Sequence, residues 1–209
     1  MNLPNKLTML RLFLVPVFVV LVFLEVGTFA LFNDFVAFGV FAIASFTDYL
    51  DGHLARKLNM VTDFGKLFDS AADKLLCCSA LILLIYIFSV VCMPIFESIT
   101  IWLVMLICIT VFTVTIICRE LFMTAFRSVA ASKNIVIAAD MPGKIKTVMQ
   151  MIAIMALLLV PDLMFINGVV GMVFFIIGFA ALALGMIMAV LSCVLYICKY
   201  PAVFSEGMK

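Results

Sequence analysis

The sequence predicts an all-α integral membrane protein: six transmembrane helices, both termini in the cytoplasm, and a polar site at the cytoplasmic membrane interface. Three observations predict it. The chain is 67% hydrophobic and only 12% charged, about half the charge of an ordinary soluble domain, and its mean hydropathy is +1.37. Long stretches such as 75–96, 98–118 and 163–198 hold no charged residue, and about 20 apolar residues suffice to cross a bilayer. The charges that remain fall between these stretches in alternating polarity.

Taken in order, residues 7–25 make a first span, containing Pro16, which should bend it. Residues 27–47 make a second, with Asp34 as its one internal charge. Spans three and four occupy about 67–93 and 98–127, and a shorter fifth occupies 145–161, behind a Pro142-Gly143 turn. The uncharged run 163–198 fits either one long tilted helix, over 166–198, or a tight hairpin. With six spans, all 13 Lys and Arg residues lie on the side of the N-terminus, whereas Glu25, Glu97 and Asp162 lie opposite. The excess of Lys and Arg marks the cytoplasmic side. A hairpin would export Lys199 and Lys209, so one long helix is expected.

The whole chain is expected to be one membrane-embedded domain that crosses the membrane several times. A net charge of +1 points to no nucleic-acid partner. The seven cysteines form no CxxC pair and sit mostly in apolar runs, as small packing residues do. The first apolar run has no small-residue cleavage site, which argues against a cleavable leader.

Between spans two and three lies "FTDYLDGHLARKLNMVTDFGKLFDSAADKLL". On a helix, Asp48, Gly52 and Ala55/Arg56 share a face, with Asp51 one turn from Asp48. On the next helix, Gly65, Asp69 and Asp73 recur at i, i+4 and i+8. Four carboxylates converging beside hydrocarbon repel each other and resist burial. Two divalent cations would neutralise them, and oxygen ligands suit Mg²⁺ or Mn²⁺. A metal pair can clamp the attacking and leaving oxygens of a phosphoryl centre, and Arg56 could grip a diphosphate with its planar fork. Asp63 is read as a solvated loop residue, and His53, the single histidine, as a spacer. A cation transporter would instead place its charges near the midplane on broken helices, often in two repeated halves; here they lie at one side and nothing echoes them.

The pattern Asp48-x2-Asp51-Gly52-x2-Ala55-Arg56-x8-Gly65-x3-Asp69-x3-Asp73 resembles the signature of the CDP-alcohol phosphotransferase family at every fixed position. The resemblance implies that Asp48, Asp51 and Asp69 hold metal, and that Asp73 lies at the metal site and serves as the base. It implies that the CDP group sits against Gly52, Ala55 and Gly65, that a hydroxyl attacks the lipid-side phosphate of CDP-diacylglycerol, and that CMP leaves. A homodimer is also implied, and small residues (Gly39, Ala42, Ala44; Gly178, Ala180, Ala181, Gly185) would permit close helix contact.

The acceptor is read from two further stretches, "MNLPNKLTMLRLFLVP" and "RELFMTAFRSVAASKNIVIAADMPGKIKTVMQ". Both resemble the branch of the family that uses sn-glycerol 3-phosphate, for which phosphatidylglycerophosphate is the implied product. That acceptor is close to a dianion. Arg119, Arg127 and Lys144 could converge on its phosphate, beside the N-terminus of span five; alternatively they anchor the chain at the cytoplasmic interface. Lys66 and Lys133 are read as anchors, and Lys146 and Gln150 fit either role. An inositol phosphate acceptor would use the same cations; serine would need fewer. Asn5, Thr8 and Arg11 share a face of span one, where they touch the nucleotide or cap the helix, with Asn5 as N-cap.

Overall fold

The computed structural model describes residues 3–24, 33–58, 63–93, 98–133, 135, 137 and 141–203. Within these, the side chains of 3–8, 33–34, 48–58, 63–67, 69–70 and 202 lie outside the description. The described chain is helical throughout: α1 (Leu3–Leu24), α2 (Asn33–Leu58), α3 (Asp63–Tyr86), α4 (Ile99–Ser132), α5 (Met141–Leu158), α6 (Val160–Ile166) and α7 (Gly168–Lys199). Among the described residues, four helices are long and apolar enough to cross a membrane: Ala71–Val91, Ile99–Ser132, Met141–Leu158 and Gly168–Lys199. Shorter apolar stretches, Met9–Leu24 and Phe35–Thr47, lie in α1 and α2.

Three boundaries differ from the sequence reading. Helix α1 starts at Leu3, so Asn5 lies inside the first turn and not at the N-cap; Pro4 suits that turn, where a missing N–H costs nothing. Pro142 and Gly143 likewise form the first turn of α5 and not a turn before it. Asp63 opens α3 rather than sitting in a loop. Pro16 lies within an unbroken α1. The uncharged run is one helix, α7, and not a hairpin.

The core runs along the bundle axis, from Phe18 and Phe41 through Leu81, Leu84 and Phe88 to Ile109, Ile154, Leu157 and Leu182. Helix α1 packs on α2 and α3, while α7 packs mainly on α5. The α5–α7 approach is close because α7 presents glycine there. A Cβ on Gly178 would come within 2.7 Å of the Leu157 side chain, and one on Gly185 would stand 3.6 Å from the Gln150 backbone nitrogen. These small residues therefore serve contact within the chain, whereas a Cβ on Gly39 would meet nothing within 4 Å.

The end of the bundle away from the acidic residues is tied by polar caps. The buried carboxylate of Asp162 in α6 accepts a hydrogen bond from the Phe35 N–H in the first turn of α2, at 3.1 Å. Burial pushes the Asp162 carboxyl above its ordinary value, and the Phe35 N–H partly opposes the shift. Asn167 caps α7 by accepting from the Val169 and Val170 N–H groups. A π-helical turn, Ile87–Val91, ends the third span. The Trp102 indole N–H donates to the Phe88 carbonyl in that turn at 2.9 Å, joining it to α4.

Candidate functional site

At the opposite end, α2 carries Asp48 and Asp51 and α3 carries Asp69 and Asp73, on helices that touch. Of these four, only the side chain of Asp73 is described. Those of Asp48, Asp51 and Asp69 lie outside the description, as do those of Asn5, Thr8, Arg56 and the small residues Gly52, Ala55 and Gly65. Among the described side chains, no three His, Cys, Asp or Glu groups stand close enough to hold a metal ion.

Asp73 is half-buried and lines a cavity of about 330 Å³. The cavity walls come from α3, α4, α5 and α7. Among the described residues, basic groups dominate them: Lys74, Arg119, Arg127, Lys144 and Lys146, against two acids, Asp73 and Glu120. The three cations expected from the sequence, Arg119, Arg127 and Lys144, thus line one space with Asp73. Size and charge suit a small anionic ligand.

Arg119 is the most constrained of the three. Its Nε donates to the Ala189 carbonyl at 3.2 Å, one Nη to Ser192 Oγ at 2.7 Å, and the other Nη to Glu120 Oε1 at 3.1 Å. Three of its five N–H groups are thereby committed, and its side chain is 10% exposed. It fastens α4 to α7 and still presents a fixed positive charge to the cavity. Arg127, two turns on, is exposed, and its guanidinium lies 5.8 Å from the centre of the Tyr196 ring, an attractive cation–π arrangement. Tyr196 is itself buried with Met123, Phe126, Ala130 and Val203 in a second apolar cluster beneath the cavity. Lys133 closes that cluster by donating to the Val203 carbonyl at 3.0 Å. Lys144 is exposed in the first turn of α5.

Lys146 is only 5% exposed. Its ammonium pairs with Glu120 Oε1, the same oxygen that receives Arg119. Removing a charge from water is costly unless it is paired, so the Glu120 carboxylate makes the burial of Lys146 tolerable. A second opening of about 300 Å³, lined by Lys74, Arg119, Glu120, Met123, Thr124, Arg127, Ser128 and Ala131, adjoins the first. Arg11, in α1, is fully buried.

Sequence reasoning had not assigned Glu120, Ser192 or Tyr196 to the site, and had left Lys146 and Gln150 open. A signal existed for most. Lys146 and Gln150 stand one turn apart on α5, and both are buried. Ser192 and Tyr196 stand one turn apart in an otherwise apolar helix.

The family model described as CDP-alcohol phosphatidyltransferase matches residues 1–197. A Bacillus subtilis protein named CDP-diacylglycerol–glycerol-3-phosphate 3-phosphatidyltransferase is 42% identical over 166 residues, covering 76% of this chain and 77% of the relative. A protein of the same name from Escherichia coli K12 is 34% identical over 164 residues, covering 78% and 79%. One from Wigglesworthia glossinidia brevipalpis is 33% identical over 160 residues, covering 76% and 77%.

Proposed function

The chain belongs to the CDP-alcohol phosphatidyltransferase family, and on that premise we propose that it transfers the phosphatidyl group of CDP-diacylglycerol to sn-glycerol 3-phosphate, giving phosphatidylglycerophosphate and CMP. The names of its relatives specify this donor and acceptor. One observation in the chain itself carries the reading: Asp73 and five basic residues line a single cavity. A base beside a cationic pocket is what attack by the hydroxyl of a dianionic acceptor requires.

Asp48, Asp51, Asp69 and Asp73 would hold two Mg²⁺ or Mn²⁺ ions. Four carboxylates on two touching helices offer the hard oxygen donors such ions prefer. Bound there, the ions would neutralise charge on the diphosphate and on the departing CMP. Asp73 takes the proton of the acceptor's C1 hydroxyl. The hydroxyl oxygen bonds to the diacylglycerol-side phosphorus, and the bond to CMP breaks with the electron pair leaving on CMP. Arg127, Lys144 and the remaining N–H groups of Arg119 bind the acceptor phosphate. Gly52, Ala55 and Gly65 leave room for the CDP group against the backbone, Arg56 holds the diphosphate, and Asn5 and Thr8 face the nucleotide.

The donor combines two acyl chains with a charged head, so the site belongs where lipid meets cytosol. We accordingly assign six spans, both termini on the cytoplasmic side of a bacterial membrane, with the basic cavity facing the cytosol. A homodimer is part of the same reading.

A headgroup screen tests the proposal. Purified protein with CDP-diacylglycerol and Mg²⁺ is offered glycerol 3-phosphate, serine, inositol or inositol phosphate, and CMP release is followed. Release with glycerol 3-phosphate alone, abolished by EDTA and restored by Mg²⁺ or Mn²⁺, is the expected result. Release with another acceptor in preference would assign the cavity differently, and activity that survives EDTA would remove the metals.

A further inference from the structure

Glu120 is out of character with its surroundings. Among the seven described charged residues lining the cavity, five are basic and one is the proposed base, Asp73. A pocket that had only to bind phosphate would hold it more tightly without a carboxylate nearby. Balancing the burial of Lys146 accounts for part of Glu120, but an apolar pair would fill the same space at no electrostatic cost.

The arrangement of its two oxygens points further. Oε1 alone receives both Arg119 and Lys146, which fixes the carboxylate against rotation. Oε2 accepts no hydrogen bond among the described residues, and it is not among the polar atoms buried without a partner. The side chain is 17% exposed and lines both adjoining openings. A rigidly held acceptor thus faces the space where the cations would bind phosphate.

Resting on the function proposed above, we infer that Glu120 is a specificity-determining residue that receives the non-reacting hydroxyl of a polyol phosphate. In glycerol 3-phosphate this is the hydroxyl on C2, between the attacking C1 hydroxyl and the phosphate. The basic residues take the phosphate, Asp73 takes the proton from C1, and Glu120 Oε2 accepts from C2. Three points fix which end of the acceptor meets the donor. An alkyl phosphate without that hydroxyl would leave a carboxylate oxygen facing the ligand with nothing to accept.

The test compares glycerol 3-phosphate with 3-hydroxypropyl phosphate, which keeps the attacking hydroxyl and the phosphate and lacks only the C2 hydroxyl. A hydrogen bond to a charged group contributes about 1.5–3 kcal/mol, so wild-type kcat/KM should fall by roughly 10- to 100-fold with the analogue. In Glu120→Gln the amide oxygen satisfies Lys146 and the carboxylate acceptor is gone, so the preference should shrink to roughly 3- to 10-fold, a neutral hydrogen bond being roughly half as strong. If Glu120→Gln does not accumulate, the double variant Glu120→Met/Lys146→Met removes both charges together and is measured in the same way. Wild-type use of the analogue within threefold of glycerol 3-phosphate overturns the inference whatever the variants do. An undiminished preference in the folded variant overturns it as well, because some other group then senses the hydroxyl. In both cases the proposed function stands. Failure of wild type to release CMP with glycerol 3-phosphate would instead sink the function.

Discussion

Arg119 shows how one side chain can serve both fold and site. Its fork is held by Ser192 Oγ and the Ala189 carbonyl of α7 while the residue lines the basic cavity. Ser192→Ala strips one partner from a guanidinium that is largely buried. Leaving such a donor unsatisfied costs about 1–3 kcal/mol, so the variant should unfold earlier on heating. It should also raise the KM for the acceptor several-fold and leave that for CDP-diacylglycerol unchanged; equal shifts in both would mean that the fork does not position the acceptor. Asp73→Asn removes the proposed base and one metal ligand. It should retain much of its donor binding, measured by titration, while kcat falls by about two orders of magnitude or more; near-normal turnover would reassign the base. Away from the site, Asp162 titrates in a way that affects folding. Its folded carboxyl lies above the ordinary value, so the folded state binds the proton more tightly than the unfolded chain. The resulting stability is fully present below the ordinary aspartate value and is lost as pH rises through the raised one. Thermal melts of wild type against Asp162→Asn across the acidic range should differ in that direction, and parallel curves would mean that burial does not perturb this group. At this scale the cations were legible in the sequence, because a lone Arg or Lys in an apolar helix is conspicuous. Their partners were not: a backbone carbonyl has no letter, and a serine in a membrane helix looks like packing.

Between helices, the site depends on how closely α7 approaches its neighbours, and glycine sets that distance. Gly171 marks the tightest point. A Cβ there would stand 2.6 Å from the backbone nitrogen of Met164 in α6, and backbone, unlike the tip of a side chain, cannot swing away. Gly171→Ala should therefore push α6 from α7 and destabilise the protein by about 1–3 kcal/mol. Gly39→Ala, which meets open space, should be neutral or slightly stabilising, since alanine favours helix. Detergent melts of the two variants decide the matter, and equal loss in both would mean that crowding against Met164 is not what sets Gly171 apart. The sequence pointed to Gly39, Gly178 and Gly185, and not to Gly171, as permitting close helix contact, but composition could not say which face meets which. Gly178 and Gly185 are used against α5 within the chain. Boundaries were legible to within a few residues. Pro142 was an exception: a proline both ends helices and begins them, and only the first-turn position shows which applies.

For the molecule as a whole, the decisive pattern is the separation of charge along the bundle axis. The basic cavity gathers residues of α3, α4, α5 and α7 at one end, whereas Asp162 and the Trp102 contact lie at the other. The long apolar helices were legible from uninterrupted runs, and the cavity was legible as a set of cations near one interface. Glu120 was not, because one acid next to an arginine looks like a local ion pair until α5 brings Lys146 to the same oxygen. If Lys and Arg mark the cytoplasmic side, the two ends must face different compartments. Lys144, exposed in the first turn of α5, and Phe165, 75% exposed in α6, mark opposite ends of the same span. In a background lacking the native cysteines, Lys144→Cys should react with a membrane-impermeant maleimide in inside-out vesicles and be protected in right-side-out ones, and Phe165→Cys should show the reverse. Because an anionic, water-soluble acceptor and the CMP product both belong to the cytosol, the opposite labelling would turn the cavity away from its substrates. Labelling of both positions from one side would mean that α5 does not cross the bilayer, and the six-span assignment would fall with it.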